Sequence, residues 1–181
     1  VAVRTMPSLD ELLSDKKKVT DIQELSINDI LPGARISNAK VKNAKSKTFF
    51  ISGAGGTIGA EITRQLLSSN PRIVILFELS EYNLFNIERE CLAIKDSKNL
   101  DTEIIPILGD IRDRSNLEHV FQKFLIDQIY HAAAYKHVPI VENENNISKA
   151  AENNILGTYN LANSAVKHGV HSFVMISTDK A

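Results

Sequence analysis

The segment Ser52-Gly53-Ala54-Gly55-Gly56-Thr57-Ile58-Gly59 sets glycines where a backbone must turn sharply and come close to another group. Between a strand and a helix, such a turn presents backbone N–H groups at the positive end of the helix dipole. Those donors suit the two linked phosphates of a dinucleotide. Gly53 permits the tight turn, and Gly55 or Gly56 lets N–H groups reach phosphate. Thr57 and Ile58 open the helix, and Gly59 lets it lie close on the strand. A glycine triplet alone also occurs in ordinary strand–helix turns. Three neighbours carry it further: the apolar run Thr48–Ile51, the amphipathic helix that follows, and Glu78. Glu78 closes the next apolar run about 20 residues beyond Gly59, where a carboxylate receives ribose hydroxyls.

These residues need a frame, and the chain alternates strand and helix from Lys47 onward. The pattern predicts strands over Lys47–Ser52, Arg72–Glu78, Glu103–Leu108, Gln128–Ala133 and His171–Ser177. It predicts helices over Thr57–Ser68, Glu81–Asp96, Ser115–Phe124 (capped by Ser115) and Asn146–His168. The last helix closes on a basic turn and Gly169. The run Ile-Val-Ile-Leu-Phe at 73–77 is apolar throughout, as a parallel strand covered on both faces requires. The fold class is therefore α/β: a Rossmann-type doubly wound parallel sheet with helices on both faces, incomplete at the C-terminal end. Residues 1–46 form a separate N-terminal segment, irregular or helical, with Ser8–Leu13 as a capped short helix and a lysine-rich linker before the 47–181 domain.

In such a sheet, ligands bind beyond the carboxyl ends of the strands. That rule selects Glu78–Ser80, so Ser80 joins Glu78 at the cofactor site, and also Gly109–Arg112, Ala132–His137 and Ser177–Lys180. Asp110 can accept from an adenine amino group while Ile111 packs on the ring; a turn carboxylate explains Asp110 equally well. Ala132, Ala133 and Ala134 leave room for the nicotinamide half of a dinucleotide, or simply pack tightly. Asn154 is a poor helix former within a helix; its amide either bridges to the fourth strand or faces solvent.

Apolar residues make up 43% and charged residues 24%, with a net charge of −1, so the overall field favours neither nucleic acid nor an anionic membrane. Cys91 is the single cysteine and sits among helical apolar neighbours, which fits a buried thiol in a reducing, cytoplasmic setting. No apolar stretch approaches a bilayer span. The five histidines are scattered, and no metal site is expected. Val1 in place of Met, and a strand running into the last residues, lead to the expectation that this is a piece of a longer protein.

Gly-Ala-Gly-Gly-Thr-Ile-Gly, Glu-Leu-Ser-Glu-Tyr-Asn-Leu, Gly-Asp-Ile-Arg-Asp, His-Ala-Ala-Ala-Tyr-Lys-His-Val-Pro, Asn-Asn-Ile-Leu-Gly-Thr and Ile-Ser-Thr-Asp-Lys-Ala follow one another in order. Together they resemble the extended short-chain dehydrogenase/reductase superfamily. Tyr-Lys-His-Val-Pro and Ser-Thr-Asp-Lys-Ala narrow the resemblance to the nucleoside-diphosphate-sugar 4,6-dehydratases of bacterial polysaccharide biosynthesis, which act on UDP-N-acetylglucosamine. The stretch from Val3 to Ser8 is similar to a connector that follows a membrane-linked domain in the group's larger members. That similarity implies an inner-membrane anchor in the whole protein and no membrane contact from this piece.

The resemblance implies a bound NAD that takes hydride from C4 of the sugar, loss of the C5 proton and the C6 hydroxyl, and return of the hydride to C6. Thr178 would contact the C4 region, Asp179 would be the acid for the C6 hydroxyl, and Lys180 would assist C5 proton transfer. Lys136 and His137 would line the substrate loop near the diphosphate or sugar. Glu78 repels a 2′-phosphate and so favours NAD; Arg112 or Arg114 in the next loop leaves NADP as the alternative. The group's downstream Tyr or Met, with Lys three residues on, lies beyond Ala181, so the expected turnover of this piece alone is nil. A 4-epimerase lacking the Asp-Lys pair and a non-catalytic dinucleotide-binding module are the competing readings. The outer helices suggest a homo-oligomer, with a UDP-sugar as small-molecule partner and no nucleic acid.

Overall fold

The computed structural model describes Arg4–Thr5, Gln23–Glu24, Val41 and residues 43–177. The chain divides into two compact units, 1–39 and 40–181. In the first, β1 (Arg4–Thr5) and β2 (Gln23–Glu24) pair antiparallel, Arg4 opposite Glu24. This pairing was not anticipated, and the helix expected at Ser8–Leu13 lies outside the described residues. The second unit begins earlier than the expected boundary at 47. Ala44 is buried and Val41 packs on the same core, while the Ala44 carbonyl accepts from the N–H groups of Lys47 and Arg72.

Five parallel strands form the sheet: β3 (Thr48–Ser52), β4 (Ile73–Glu78), β5 (Glu103–Leu108), β6 (Gln128–His131) and β7 (Ser172–Met175). Their order is β5-β4-β3-β6-β7. The chain builds outward from β3 on one side, then returns to lay β6 on the other, so the crevice at the carboxyl ends of β3 and β6 is the topological switch point. Alternation along buried strands sends side chains to opposite faces. Phe49, Ile51, Val74 and Leu76 pack under α1 (Thr57–Leu67) and α2 (Glu81–Lys98). Phe50, Ile75, Phe77 and Ile129 pack with Leu117 and Phe121 of α3 (Arg114–Lys123) on the other face. The Phe50 ring meets Phe77 and Phe121 at centroid separations of 5.2 and 5.7 Å. Helices cover both faces, as a doubly wound fold demands.

The structure corrects three local expectations. Asp113, not Ser115, caps α3, since its carboxylate accepts from the N–H groups of Ser115 and Asn116. β6 ends at His131, two residues short of the expected strand. The long helix after it is not uniform: α4 (Val138–Val141) precedes it, and between α5 (Ile147–Ala151) and α6 (Thr158–Lys167) it widens into a π turn, Glu152–Gly157. In a regular α-helix, side chains at 153 and 154 would diverge by about 100°. The wider turn lets both asparagines reach the loop after β6. Gly169, at φ +67°, ends α6 as a left-handed glycine.

Cys91 is fully buried in α2. Burial, with Glu90 adding to it, pushes its thiol up to about 12. Only about one molecule in ten thousand then carries a thiolate near pH 8. A thiol-titrating disulfide reagent is therefore expected to leave the native chain unlabelled for hours and to label it at once in urea. Native labelling within minutes would contradict the burial.

Among the described residues, no helix is long and apolar enough to cross a membrane.

Candidate functional site

The glycine turn is shaped by backbone crowding. Gly53 sits at φ +68°, and a Cβ there would lie 2.8 Å from the Ala132 carbonyl oxygen. Its N–H donates to the Phe77 carbonyl at 2.9 Å, tying the turn to β4. At Gly59 a Cβ would sit 2.0 Å from the Gly53 oxygen, so only glycine lets α1 start this close to β3. Gly55 plays a different part from the one expected. Its missing side chain makes room for Asn83 of α2, and its N–H donates to Glu78 Oε2 at 3.0 Å. Gly56 donates to the Gly53 carbonyl. Neither amide is left for phosphate. The available donors follow directly: Gly56 occupies the N-cap of α1, and no side chain caps that helix. The first amides of α1, from Thr57 and Ile58, therefore face the cavity lined by Gly56, Thr57 and Ile58.

Glu78 ends β4 almost wholly buried, at 8% exposure. Its second oxygen accepts from the Ser80 N–H at 3.0 Å. Two backbone donors hold the carboxylate at the mouth of a cleft of about 180 Å³ and leave it with acceptor capacity for hydroxyl groups. Ser80 does not line that cleft; its hydroxyl caps α2 by accepting from the Asn83 N–H. Asp110 and Ile111 do line it. Arg112 folds back on Asp110, with Nε and Nη2 both donating to its carboxylate, and lies 3.6 Å from Glu152. The hydrogen bonds from Arg112 hold the Asp110 carboxyl below its usual range.

Ala132, Ala133 and Ala134 run between this cleft and an adjoining cavity of about 670 Å³. They line both cavities, and the Ala132 backbone lies close against Gly53. Lys136, His137 and Asn154 line the larger cavity. Asn154 bridges rather than facing solvent. Its Oδ1 accepts from the Tyr135 N–H and its Nδ2 donates to the Tyr135 carbonyl, each at 2.9 Å, pinning the loop that carries Lys136. Sequence reasoning missed Asn153, which donates to the Ala133 carbonyl at 3.3 Å and is buried. The Asn-Asn pair inside a helix was the available signal. Thr178, Asp179 and Lys180 lie outside the described residues; Ser177, next to them in the chain, lines the larger cavity.

His131 was also missed. It is buried between Ser52 Oγ, 2.7 Å from Nδ1, and Thr158 Oγ1, 2.8 Å from Nε2. Burial pushes its imidazolium down to about 4. The unfolded chain, with an ordinary value of about 6.5, takes up this proton first as pH falls. The associated stability is complete above about pH 6.5 and is lost between about 6.5 and about 4, by an upper bound of roughly 3 kcal/mol. Urea midpoints at pH 7 and pH 4.5 are expected to fall further in the parent than in His131→Phe. Equal falls would contradict the buried neutral ring.

Residues 49–181 match the family described as polysaccharide biosynthesis protein. The capsular polysaccharide biosynthesis protein CapD of Staphylococcus aureus is 35% identical over 97% of this chain, which spans 29% of that relative. A UDP-N-acetylglucosamine 4,6-dehydratase (inverting) of Campylobacter jejuni is 31% identical, with 75% of this chain and 37% of its own length matched. A UDP-glucose 4-epimerase of Pisum sativum matches at the same 31% over the same shares. Among solved structures, DesIV, a dTDP-glucose 4,6-dehydratase from Streptomyces venezuelae with NAD and TYD bound, is similar at 30% identity. Its TM-score is 0.54, covering 70% of this chain and 38% of that one. The chain thus spans about a third of the length of these relatives. With its doubly wound sheet, its glycine turn at the switch point and this match over 49–181, the chain belongs to the polysaccharide biosynthesis protein family, within the extended short-chain dehydrogenase/reductase fold.

Proposed function

We propose that this chain is the NAD-binding portion of a nucleotide-sugar 4,6-dehydratase that converts UDP-N-acetylglucosamine to a 4-keto-6-deoxy sugar. The observation that carries the reading is one continuous crevice. The Glu78 carboxylate stands in its narrow end, and the uncapped start of α1 lines the wider end together with Lys136 and His137. The first amides of α1 receive the pyrophosphate, and Glu78 receives the adenosine ribose hydroxyls. The alanines at 132–134 leave room for the nicotinamide ribose. When bound, NAD supplies a hydride acceptor and donor. The protein's own residues hold it, exclude water, and place the sugar diphosphate near Lys136 and His137. Thr178, Asp179 and Lys180 keep the roles that the family pattern implies: contact at C4, acid at the C6 hydroxyl, and aid to C5 proton transfer.

NAD is favoured over NADP because Glu78 faces the ribose and Arg112 is already engaged by Asp110 and Glu152. A homo-oligomer working at the cytoplasmic face of a membrane belongs to the same proposal.

The test is turnover of UDP-N-acetylglucosamine by the full-length protein, followed by detection of the 4-keto-6-deoxy product. Asp179→Asn is expected to slow it by about a hundredfold or more while NAD stays bound. The epimerase reading is favoured by the equal similarity of the pea enzyme. It would prevail if the product kept its C6 hydroxyl with C4 inverted. NAD binding without any turnover would instead favour the non-catalytic module.

A further inference from the structure

We propose that His131 is a positioning residue of the dinucleotide site, holding the glycine turn, the loop after β6 and the π turn at one fixed separation. The inference rests on the dinucleotide-binding reading above and adds a residue that the reading does not use.

The hydrogen-bond directions follow from counting protons. The Thr158 hydroxyl donates its single proton to the Asn154 carbonyl at 2.7 Å. Its Oγ1 can therefore only accept from His131, which places the imidazole proton on Nε2. Nδ1 is left as an acceptor, so the Ser52 hydroxyl donates to it. The relay runs Ser52 to His131 to Thr158 to Asn154, each group donating to the next. Ser52 immediately precedes Gly53, and its carbonyl accepts from the Ala132 N–H at 3.0 Å. Asn154 in turn holds the Tyr135 backbone through its side chain. All three walls of the crevice therefore meet at one ring. Ser52 and His131 are buried, and the Phe173 ring of β7 lies 6.1 Å from the imidazole.

No charged group shifts His131; burial alone acts on it, so the ring is locked neutral and in one tautomer. Tyr135, Lys136, His137 and Glu142 are the other titratable groups lining the cavity that it borders. Protonating Nδ1 would turn it from acceptor to donor and leave the Ser52 proton with no partner in a dry site. An aromatic ring without nitrogens would fill the volume but break both links.

The test uses the full-length protein with NAD as the probe, by calorimetric titration near pH 7.5, together with ¹⁵N NMR of the imidazole nitrogens. His131→Phe is expected to weaken NAD binding by about tenfold or more. His131→Gln, which keeps a donor toward Thr158 Oγ1, is expected to remain within about threefold of the parent. The parent spectrum is expected to show one neutral imidazole carrying its proton on Nε2 and not titrating between pH 8 and pH 5.5. If His131→Phe fails to fold, Thr158→Val serves instead: it removes both the acceptor for Nε2–H and the donor to Asn154, and a loss of several-fold is expected. Parent-like NAD affinity in the Phe or Val variant, a Gln variant no better than Phe, or a proton on Nδ1 would overturn the proposal. A parent protein that ignores NAD would overturn the underlying reading instead.

Discussion

Gly59→Ala is expected to abolish dinucleotide binding, with an affinity loss of about a hundredfold or more, because the added methyl meets backbone on every side. It would lie 2.0 Å from the Gly53 oxygen, 2.8 Å from the Gly53 carbonyl carbon and 3.0 Å from the Ala54 Cα. A flexible side chain can swing aside; these atoms cannot. Relief requires α1 to lift from β3 by more than an ångström. That motion carries the Thr57 and Ile58 amides away from the proposed phosphate position. A hydrogen bond lengthened by that much is effectively lost. Overpacking of a well-filled site also lowers stability, here by about 1–3 kcal/mol. Calorimetric titration with NAD and urea unfolding measure the two effects. An alanine variant that binds as the parent does would show that the start of α1 is not the phosphate site.

The second large effect is expected at Glu78. Glu78→Ala strands two backbone donors, the N–H groups of Gly55 and Ser80, whose acceptors are the two carboxylate oxygens. Each buried orphan costs about 1–3 kcal/mol, so a stability loss of about 2–6 kcal/mol is expected even without ligand. NAD affinity should fall by about a hundredfold, since the proposed ribose acceptor and the shape of the glycine turn are lost together. Glu78→Gln separates the two roles. One oxygen remains to accept from one amide, so stability falls by about half as much, while NAD discrimination against NADP shrinks because the charge is gone. If alanine and glutamine lower stability equally, the carboxylate is not what holds the turn.

The amino-acid sequence by itself determined the frame and pointed to the candidate site. Runs of four to six apolar residues, each followed by an amphipathic helix, permit little besides a parallel sheet covered on both faces. The glycine spacing and Glu78 then mark the switch point, because those signals are local and depend on neighbours in the chain. The same locality explains why Glu81–Lys98 and Glu103–Leu108 were legible nearly to the residue. It also explains why the fourth helix was read as unbroken: a π turn is decided by partners across space.

Tertiary structure alone decided which atoms serve which end. Gly55 reads as a phosphate donor in sequence, yet packing against Asn83 and the pull of Glu78 turn its N–H away, leaving the first amides of α1, from Thr57 and Ile58, as the available donors. Asp110 reads in sequence equally as an adenine acceptor or a turn carboxylate; in the fold it accepts from the Arg112 N–H, and the Arg112 guanidinium closes on it. His131 and Asn153 carry no periodic signal at all, since their importance comes from polar groups 20 to 79 positions distant that meet them only in the folded chain. Patterns along a chain record what each element must bury. Hydrogen-bond partners are assigned only once desolvation has forced every buried donor to find an acceptor.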